Sequence, residues 1–64
     1  MKIEEVKRNL GKIVSYKGRA DLYKLTACIL RRNEKGFFYQ AEILDTKQGN
    51  SIIICNLEEV EAIE

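Results

Sequence analysis

The sequence has no histidine, no proline and no tryptophan, and it has only two cysteines among its 64 residues. Without histidine, no imidazole can act as a general base, a proton shuttle or a metal ligand. Two cysteines cannot complete a four-ligand zinc site within one chain. The longest apolar runs, Thr26–Leu30 and Ile52–Cys55, are far shorter than the roughly 20 residues of a membrane-spanning helix. The sequence therefore predicts a protein with no metal, no cofactor and no membrane association.

The composition is that of a small soluble protein, with 45% hydrophobic and 33% charged residues. Residues 1–64 are long enough for a single domain with a small core, to which a disulfide, a metal or a partner usually adds stability. The charged start of the chain lacks the apolar segment of a signal peptide, so we expect a cytoplasmic protein. In that compartment Cys28 and Cys55 are expected to be reduced thiols, and a disulfide between them stays an open alternative.

Charge is distributed unevenly along the chain, although the net charge is only +1. Residues 1–35 hold ten of the eleven basic side chains, and residues 36–64 hold six of the ten acidic ones. Such asymmetry can mark a face that binds nucleic acid. The alternative is that the two halves interleave in space and neutralise each other, as they would in a small barrel.

The first ten residues carry a helical pattern. Ile3, Val6 and Leu10 have the spacing of one apolar helix face, with acidic residues in the first turn and basic residues later. Gly11 is a typical residue for the end of a helix. The pattern predicts an amphipathic helix over residues 2–10, which is too short to be stable alone and must dock on the rest of the domain.

The remaining residues have the pattern of five short strands. A single helical turn is predicted at residues 56–59, just before the last strand. The fourth strand is apolar on both faces, which predicts a central position in the sheet. The predicted strands cover residues 12–17, 22–32, 37–46, 51–55 and 60–63.

The turn Asn33–Gly36 predicts the register of the hairpin between the second and third strands. Its Asn-Glu-Lys-Gly sequence fits a type I turn with a left-handed glycine bulge, in which Asn33 pairs with Phe37. The core face of the hairpin then contains two cross-strand pairs, Ile29 with Ala41 and Ala27 with Ile43.

The same register assigns the aromatic residues of the third strand. Phe37 and Tyr39 are predicted to lie in the core or at its rim, and Phe38 is predicted to be exposed. The outward face of the hairpin is then expected to carry four residues together, Leu30, Arg32, Phe38 and Gln40.

This order of elements resembles a small SH3-like barrel over residues 12–64. With the N-terminal helix, the layout is also similar to the Sm-like fold of bacterial RNA chaperones, although the histidine that such proteins often carry near the fourth strand is absent here. The segment Gly36–Asp45 is similar to small proteins of Gram-positive bacteria and their phages. The expected fold is mainly β, a five-stranded SH3-like barrel with a short N-terminal α-helix.

The residues point away from catalysis. No histidine is present to activate Ser15 or Ser51, and a cysteine nucleophile needs a base and an electropositive setting. The C-terminal run of glutamates is expected to be a solvated edge. We therefore expect a non-enzymatic protein with no small-molecule substrate.

Two kinds of binding fit the sequence. An interaction module would bind a protein partner, or a second copy, through Leu30, Arg32, Phe38 and Gln40, because arginine and aromatic side chains are enriched at interface centres. The alternative is an Sm-like or SH3-like nucleic-acid-binding protein, in which basic side chains follow the backbone and aromatic rings stack on bases. The candidates for that second role are Tyr16, Lys17, Arg19, Arg31 and Arg32.

Overall fold

Helix α1 spans Ile3–Asn9 in the computed structural model, which describes residues 1–63. The Glu5 carboxylate accepts a hydrogen bond from the backbone N–H of Lys2 at 2.9 Å, a typical interaction at the start of a helix. Gly11 follows the helix with a φ of +83°, a left-handed conformation that ends helices and favours glycine. The predicted helix and its end are confirmed. No helix among the described residues is long and apolar enough to cross a membrane.

Five antiparallel strands form one sheet, and the chain is mainly β as predicted. The order across the sheet is β4-β3-β2-β1-β5, so the first strand pairs with the last. A 3-10 helix, Leu57–Glu59, connects the two edge strands β4 and β5. The strands are β1 Ile13–Tyr16, β2 Tyr23–Asn33, β3 Gly36–Asp45, β4 Ile52–Asn56 and β5 Val60–Ala62.

The core lies on the inner side of this sheet. Four of its side chains, Val14, Leu25, Ile43 and Val60, have no exposed surface, and each comes from a different strand. The helix contributes one buried side chain, Val6. Because all five strands and α1 contribute to one core, the structure is compatible with a small barrel-like fold. The other buried residues are Tyr16, Tyr23, Ala41, Cys55 and Leu57.

The register of the β2–β3 hairpin differs from the prediction at the turn. Asn33 pairs with Gly36 and not with Phe37, so that pairing was wrong. The side-chain Oδ1 of Asn33 accepts the N–H of Lys35 at 2.8 Å, which tightens the turn. Gly36 has a φ of +126°, which residues with a side chain rarely adopt, and it continues the ladder where the prediction placed a bulge.

A β-bulge at Thr26 divides the same hairpin into two segments. Leu25 pairs with Ile43 and Ala27 pairs with Glu42, which leaves Thr26 without a cross-strand partner. The Thr26 hydroxyl hydrogen-bonds Glu42 Oε2 at 2.7 Å. A bulge bends its strand and increases the local twist.

The turn and the bulge together change the predicted pairs on the core face. Ala41 and Ile43 are buried as predicted, but their partners are Cys28 and Leu25 instead of Ile29 and Ala27. Ile29 pairs with Gln40, and it is only partly buried.

Strand β4 lies at an edge of the sheet and pairs only with β3, so its predicted central position was wrong. Cys55 is buried and Ile53 packs against the core, which accounts for one apolar face. On the other face, Ile52 is 56% exposed and Ile54 is 44% exposed. The apolar residues of this second face are therefore not explained by burial within the chain.

Candidate interaction surface

The distal part of the β2–β3 hairpin extends beyond the core. We call the segment Ile29–Gln40 the arm, because none of its residues is buried while the same two strands are buried closer to the core. The ladder continues through the arm to the turn without a second irregularity. The arm is therefore a two-stranded ribbon with both faces accessible.

One face of the arm continues the inner face of the core. After the core pair Cys28 and Ala41, the next two pairs on this side are Leu30 with Tyr39 and Arg32 with Phe37. Leu30 is 56% exposed, Phe37 is 70% exposed and Tyr39 is 40% exposed. The Arg32 guanidinium lies over the Phe37 ring, 5.8 Å from its centroid. We call Leu30, Arg32, Phe37 and Tyr39 the inner face of the arm.

The opposite face of the arm carries a different set of side chains. Its cross-strand pairs are Arg31 with Phe38 and Ile29 with Gln40. Arg31 Nε donates a hydrogen bond to Gln40 Oε1, which links the two pairs diagonally. Phe38 is partly buried, so its predicted exposure relative to Phe37 was wrong.

The four residues predicted to form one partner-binding patch are therefore divided between two faces. Leu30 and Arg32 lie on the inner face of the arm, whereas Phe38 and Gln40 lie on the outer one. The sequence-based interpretation missed Phe37 and Tyr39 as exposed members of the inner face. Alternation with the buried Ala41 and Ile43 gave their face correctly, but no sequence signal shows that the hairpin extends beyond the core at this point.

A shallow groove borders the inner face of the arm. It lies between the start of α1, strand β3 and the 3-10 helix, and it is lined by Ile3 and Leu57 and, from β3, by Phe38 as well as Tyr39. Ile3 is 41% exposed, so the groove has apolar surface of its own, and it meets the inner face of the arm at Tyr39. A ligand on the inner face of the arm could extend into this groove.

The candidate nucleic-acid residues do not form one cluster. Tyr16 is only 8% exposed, and its ring packs edge-on against Tyr23 with 5.7 Å between centroids. The charged ends of Lys17 and Arg19 lie 5.4 and 5.2 Å from the Tyr16 centroid. The ring is thus already in contact with three side chains and leaves little surface for a base.

The basic residues of the first loop and of the arm lie toward opposite ends of β2. Tyr23 begins this strand just after the loop, and Arg31 follows eight residues later. At a rise of about 3.3 Å per residue, this corresponds to roughly 25 Å along the strand. Arg31 and Arg32 are therefore part of the arm and not of a surface shared with Lys17.

Ion pairs connect the two halves of the chain. Lys17 Nζ lies 3.1 Å from Glu59 Oε2, and Lys47 Nζ lies 3.0 Å from Asp21 Oδ1. The first pair raises the pKa of Lys17 and lowers the pKa of Glu59. The two halves thus interleave here, but no carboxylate of residues 1–63 forms an ion pair with the arginines of the arm.

Neither cysteine has the environment of a nucleophile. Both thiols are free, and burial raises the pKa of each. The nearby Glu59 carboxylate raises the pKa of Cys55 further, and Lys17 opposes that effect. Residues 1–63 contain no group of three or more metal-ligating side chains. The arm thus exposes apolar and cationic side chains, which are suited to binding and not to covalent chemistry.

No known protein family, no curated protein and no solved structure matches the chain.

Proposed function

We propose that the chain is an SH3-like barrel that acts as a non-enzymatic interaction module in the cytoplasm and binds a protein partner through the inner face of its arm. The strand order and the 3-10 helix before the last strand support the barrel assignment. The raised pKa values of both thiols and the lack of histidine support a role other than catalysis.

The observation that carries the proposal is the exposure of Leu30, Phe37 and Tyr39 on one continuous face. Contiguous apolar patches on monomeric proteins commonly mark interaction sites. Arg32 lies within this patch, and arginine and tyrosine are the residue types that contribute most at interface centres.

Charge indicates the chemistry of the partner. The arm carries three basic side chains, Arg31, Arg32 and Lys35, against the single carboxylate of Glu34. We therefore expect a partner segment that combines apolar side chains with acidic ones, so that it covers the patch and pairs with the Arg32 guanidinium.

The experiment selects peptides from a random display library on the wild-type protein, with counter-selection on a Leu30→Ser/Phe37→Ser variant. Selected peptides are expected to carry acidic and apolar residues and to bind at least about tenfold more weakly to Phe37→Ser, as measured by calorimetry. Leu22→Ser is the matched control, because Leu22 is 48% exposed but lies outside the arm. A library with no binder that depends on the arm would contradict the proposal.

Binding of single-stranded nucleic acid is the second candidate function. The Arg32 guanidinium beside the exposed Phe37 ring favours it, and neither Arg31 nor Arg32 forms an ion pair within residues 1–63. Titration of labelled oligonucleotides at about 50 mM and 200 mM salt tests it, since phosphate contacts give a steep salt dependence. Binding that is lost in an Arg31→Gln/Arg32→Gln variant would support this function. Absence of binding at low salt would eliminate it.

A further inference from the structure

The exposed edge of β4 lacks the features that protect most edge strands. Natural edges commonly carry lysine, proline, a bulge or a covering element, which prevents pairing with another chain. Strand β4, Ile52–Asn56, has no charged residue and no proline, and its pairing with β3 is regular over its whole length. Its composition is that of an interior strand at the edge of a sheet.

The backbone groups on this edge can be identified from the ladder. The N–H of Asp45 donates to the C=O of Ser51, which marks this pair as hydrogen-bonded. Because hydrogen-bonded pairs alternate in an antiparallel ladder, Ile53 and Cys55 also direct their backbone groups toward β3. The N–H and C=O groups of Ile52 and Ile54 point away from β3, and no described residue accepts from or donates to them.

The side chains of the same two residues are exposed. Ile52 and Ile54 lie on the outer face, beside their cross-strand neighbours Leu44 and Glu42. The Glu42 carboxylate is hydrogen-bonded by the Thr26 hydroxyl, on the side toward β2. Two branched apolar side chains and four free backbone groups are thus presented together.

The opposite edge of the sheet is already occupied. The N–H of Lys17 donates to the C=O of Glu59, which marks this pair between β1 and β5 as hydrogen-bonded. Because such pairs alternate, the backbone groups of Val60 and Ala62 point away from β1. The N–H of Val60 donates to Leu57 C=O, and the C=O of Val60 accepts from the Met1 amino group. On β5, Ala62 is the only residue whose outward groups have no partner among residues 1–63, so β5 cannot offer a ladder to β4 of another molecule.

We propose that β4 pairs antiparallel with β4 of a second copy of this chain, with Ile52 opposite Ile54 of the second copy. The two-fold axis passes between the Ile53 residues of the two copies, and all four free backbone groups of each copy are then satisfied. Because β4 has no charged side chain, pairing with β4 of a second copy brings no like charges together. Since the β5 edge is filled, the assembly closes as a dimer and does not continue into a ring or a fibre.

Sedimentation equilibrium tests the assembly between about 10 µM and 1 mM protein. The mass is expected to rise from 7.4 kDa toward twice that value. Over the same range, hydrogen exchange of the Ile52 and Ile54 amides is expected to slow, while the Ile53 and Cys55 amides are protected throughout. A monomer at every concentration, or a hexamer or heptamer, overturns the proposal.

Two pairs of variants assign the interface to β4. Ile54→Lys is expected to raise the dissociation constant of the dimer at least about tenfold. Ile13→Glu is its control, because Ile13 is also an exposed isoleucine on a strand. Its new carboxylate lies opposite the cross-strand residue Lys24, just as the new ammonium group at position 54 lies opposite Glu42. In each variant the circular dichroism spectrum checks the fold.

A second pair of variants, made by chemical synthesis, changes single backbone N–H groups and leaves every side chain in place. N-methylation of the Ile54 nitrogen removes one edge N–H and no intramolecular hydrogen bond, and it should abolish the dimer. N-methylation of Ala62, at the other edge, should leave the dimer intact. A dimer that survives the change at Ile54 overturns the proposal. Peptide binding by the arm tests a separate surface, so it should persist in Ile54→Lys whatever the assembly.

Discussion

Lys17 and Glu59 contact each other through both backbone and side chains. The N–H of Lys17 donates to the C=O of Glu59 at 2.9 Å, and its Nζ lies 3.1 Å from the Glu59 carboxylate. The other carboxylate oxygen, Oε1, accepts the N–H of Asn56 at 3.1 Å. One side chain thus joins the 3-10 helix to the loop that follows β1.

The carboxyl of Glu59 is expected to make folding stability depend on pH. Its pKa is lowered from the ordinary value of 4.5, first by the hydrogen bond from Lys17 and then by that from Asn56. The stabilisation is therefore present above about pH 4.5 and is lost as the pH falls through the lower, folded value. Glu59→Gln should reduce the urea midpoint at pH 7, and its difference from wild type should shrink at pH 3. Glu58→Gln is the control, and an equal effect of both changes at pH 7 would contradict the assignment.

Two leucines on β2 provide a matched test of where the core ends. Leu25 has no exposed surface, whereas Leu30 is 56% exposed on the arm. Leu25→Ala should cost about 2–5 kcal/mol because it leaves a cavity, and it can unfold so small a domain. Leu30→Ala should cost less than about 1 kcal/mol. Urea denaturation measures both, and similar losses would mean that the arm is packed and not free.

The register of the arm can be tested by a cross-strand disulfide. Leu30 and Tyr39 face each other in a non-hydrogen-bonded pair, where side chains approach most closely. In a background of Cys28→Ser and Cys55→Ala, the pair Leu30→Cys/Tyr39→Cys should oxidise readily. The pair Leu30→Cys/Gln40→Cys, which the sequence-based register would favour, should oxidise slowly. Mass spectrometry during oxidation by glutathione gives both rates.

The two native thiols should react in a defined order. Cys55 is 6% exposed and Cys28 is only partly buried, and burial raises the pKa of both. At pH 7.5, iodoacetamide should modify Cys28 before Cys55, and both should react more slowly than in urea. Faster modification of Cys55 would indicate that β4 detaches from the core.

The elements of the fold were predictable because each has a local cause. The spacing of Ile3 and Val6 and the glycine at position 11 define the helix, and alternating β-branched residues define the strands. The capped turn before Val60 was also visible, because Asn56 and Glu59 have the spacing of a capping pair. These signals lie within a few residues of each other, which is the range that a single sequence can report.

The register of the arm was not predictable in the same way. It depends on whether Gly36 forms a bulge or stays in the ladder, and both conformations suit glycine. The unpaired Thr26 has no sequence signature, because threonine is common in regular strands. The error of one residue placed Leu30 and Arg32 on the wrong face of the hairpin. Phe37 and Tyr39 were placed on the correct face, but they are exposed because that face extends beyond the core.

The prediction of a central position for β4 was wrong for another reason. Apolar residues on both faces usually indicate burial on both faces, but exposed Ile52 and Ile54 have the same sequence signature. A sequence does not distinguish a strand that is covered by its own chain from one that is covered by another molecule.

Thr26 divides β2 into a core segment and an arm segment that can change independently. Because this residue has no cross-strand partner, its loss would leave every pair on either side intact and restore a regular ladder. The direction of the arm is therefore adjustable by the gain or loss of a single codon, without exchange of any core residue. During evolution, the insertion or deletion of one residue at this site would change the direction of the arm, and the packing of the core would stay the same.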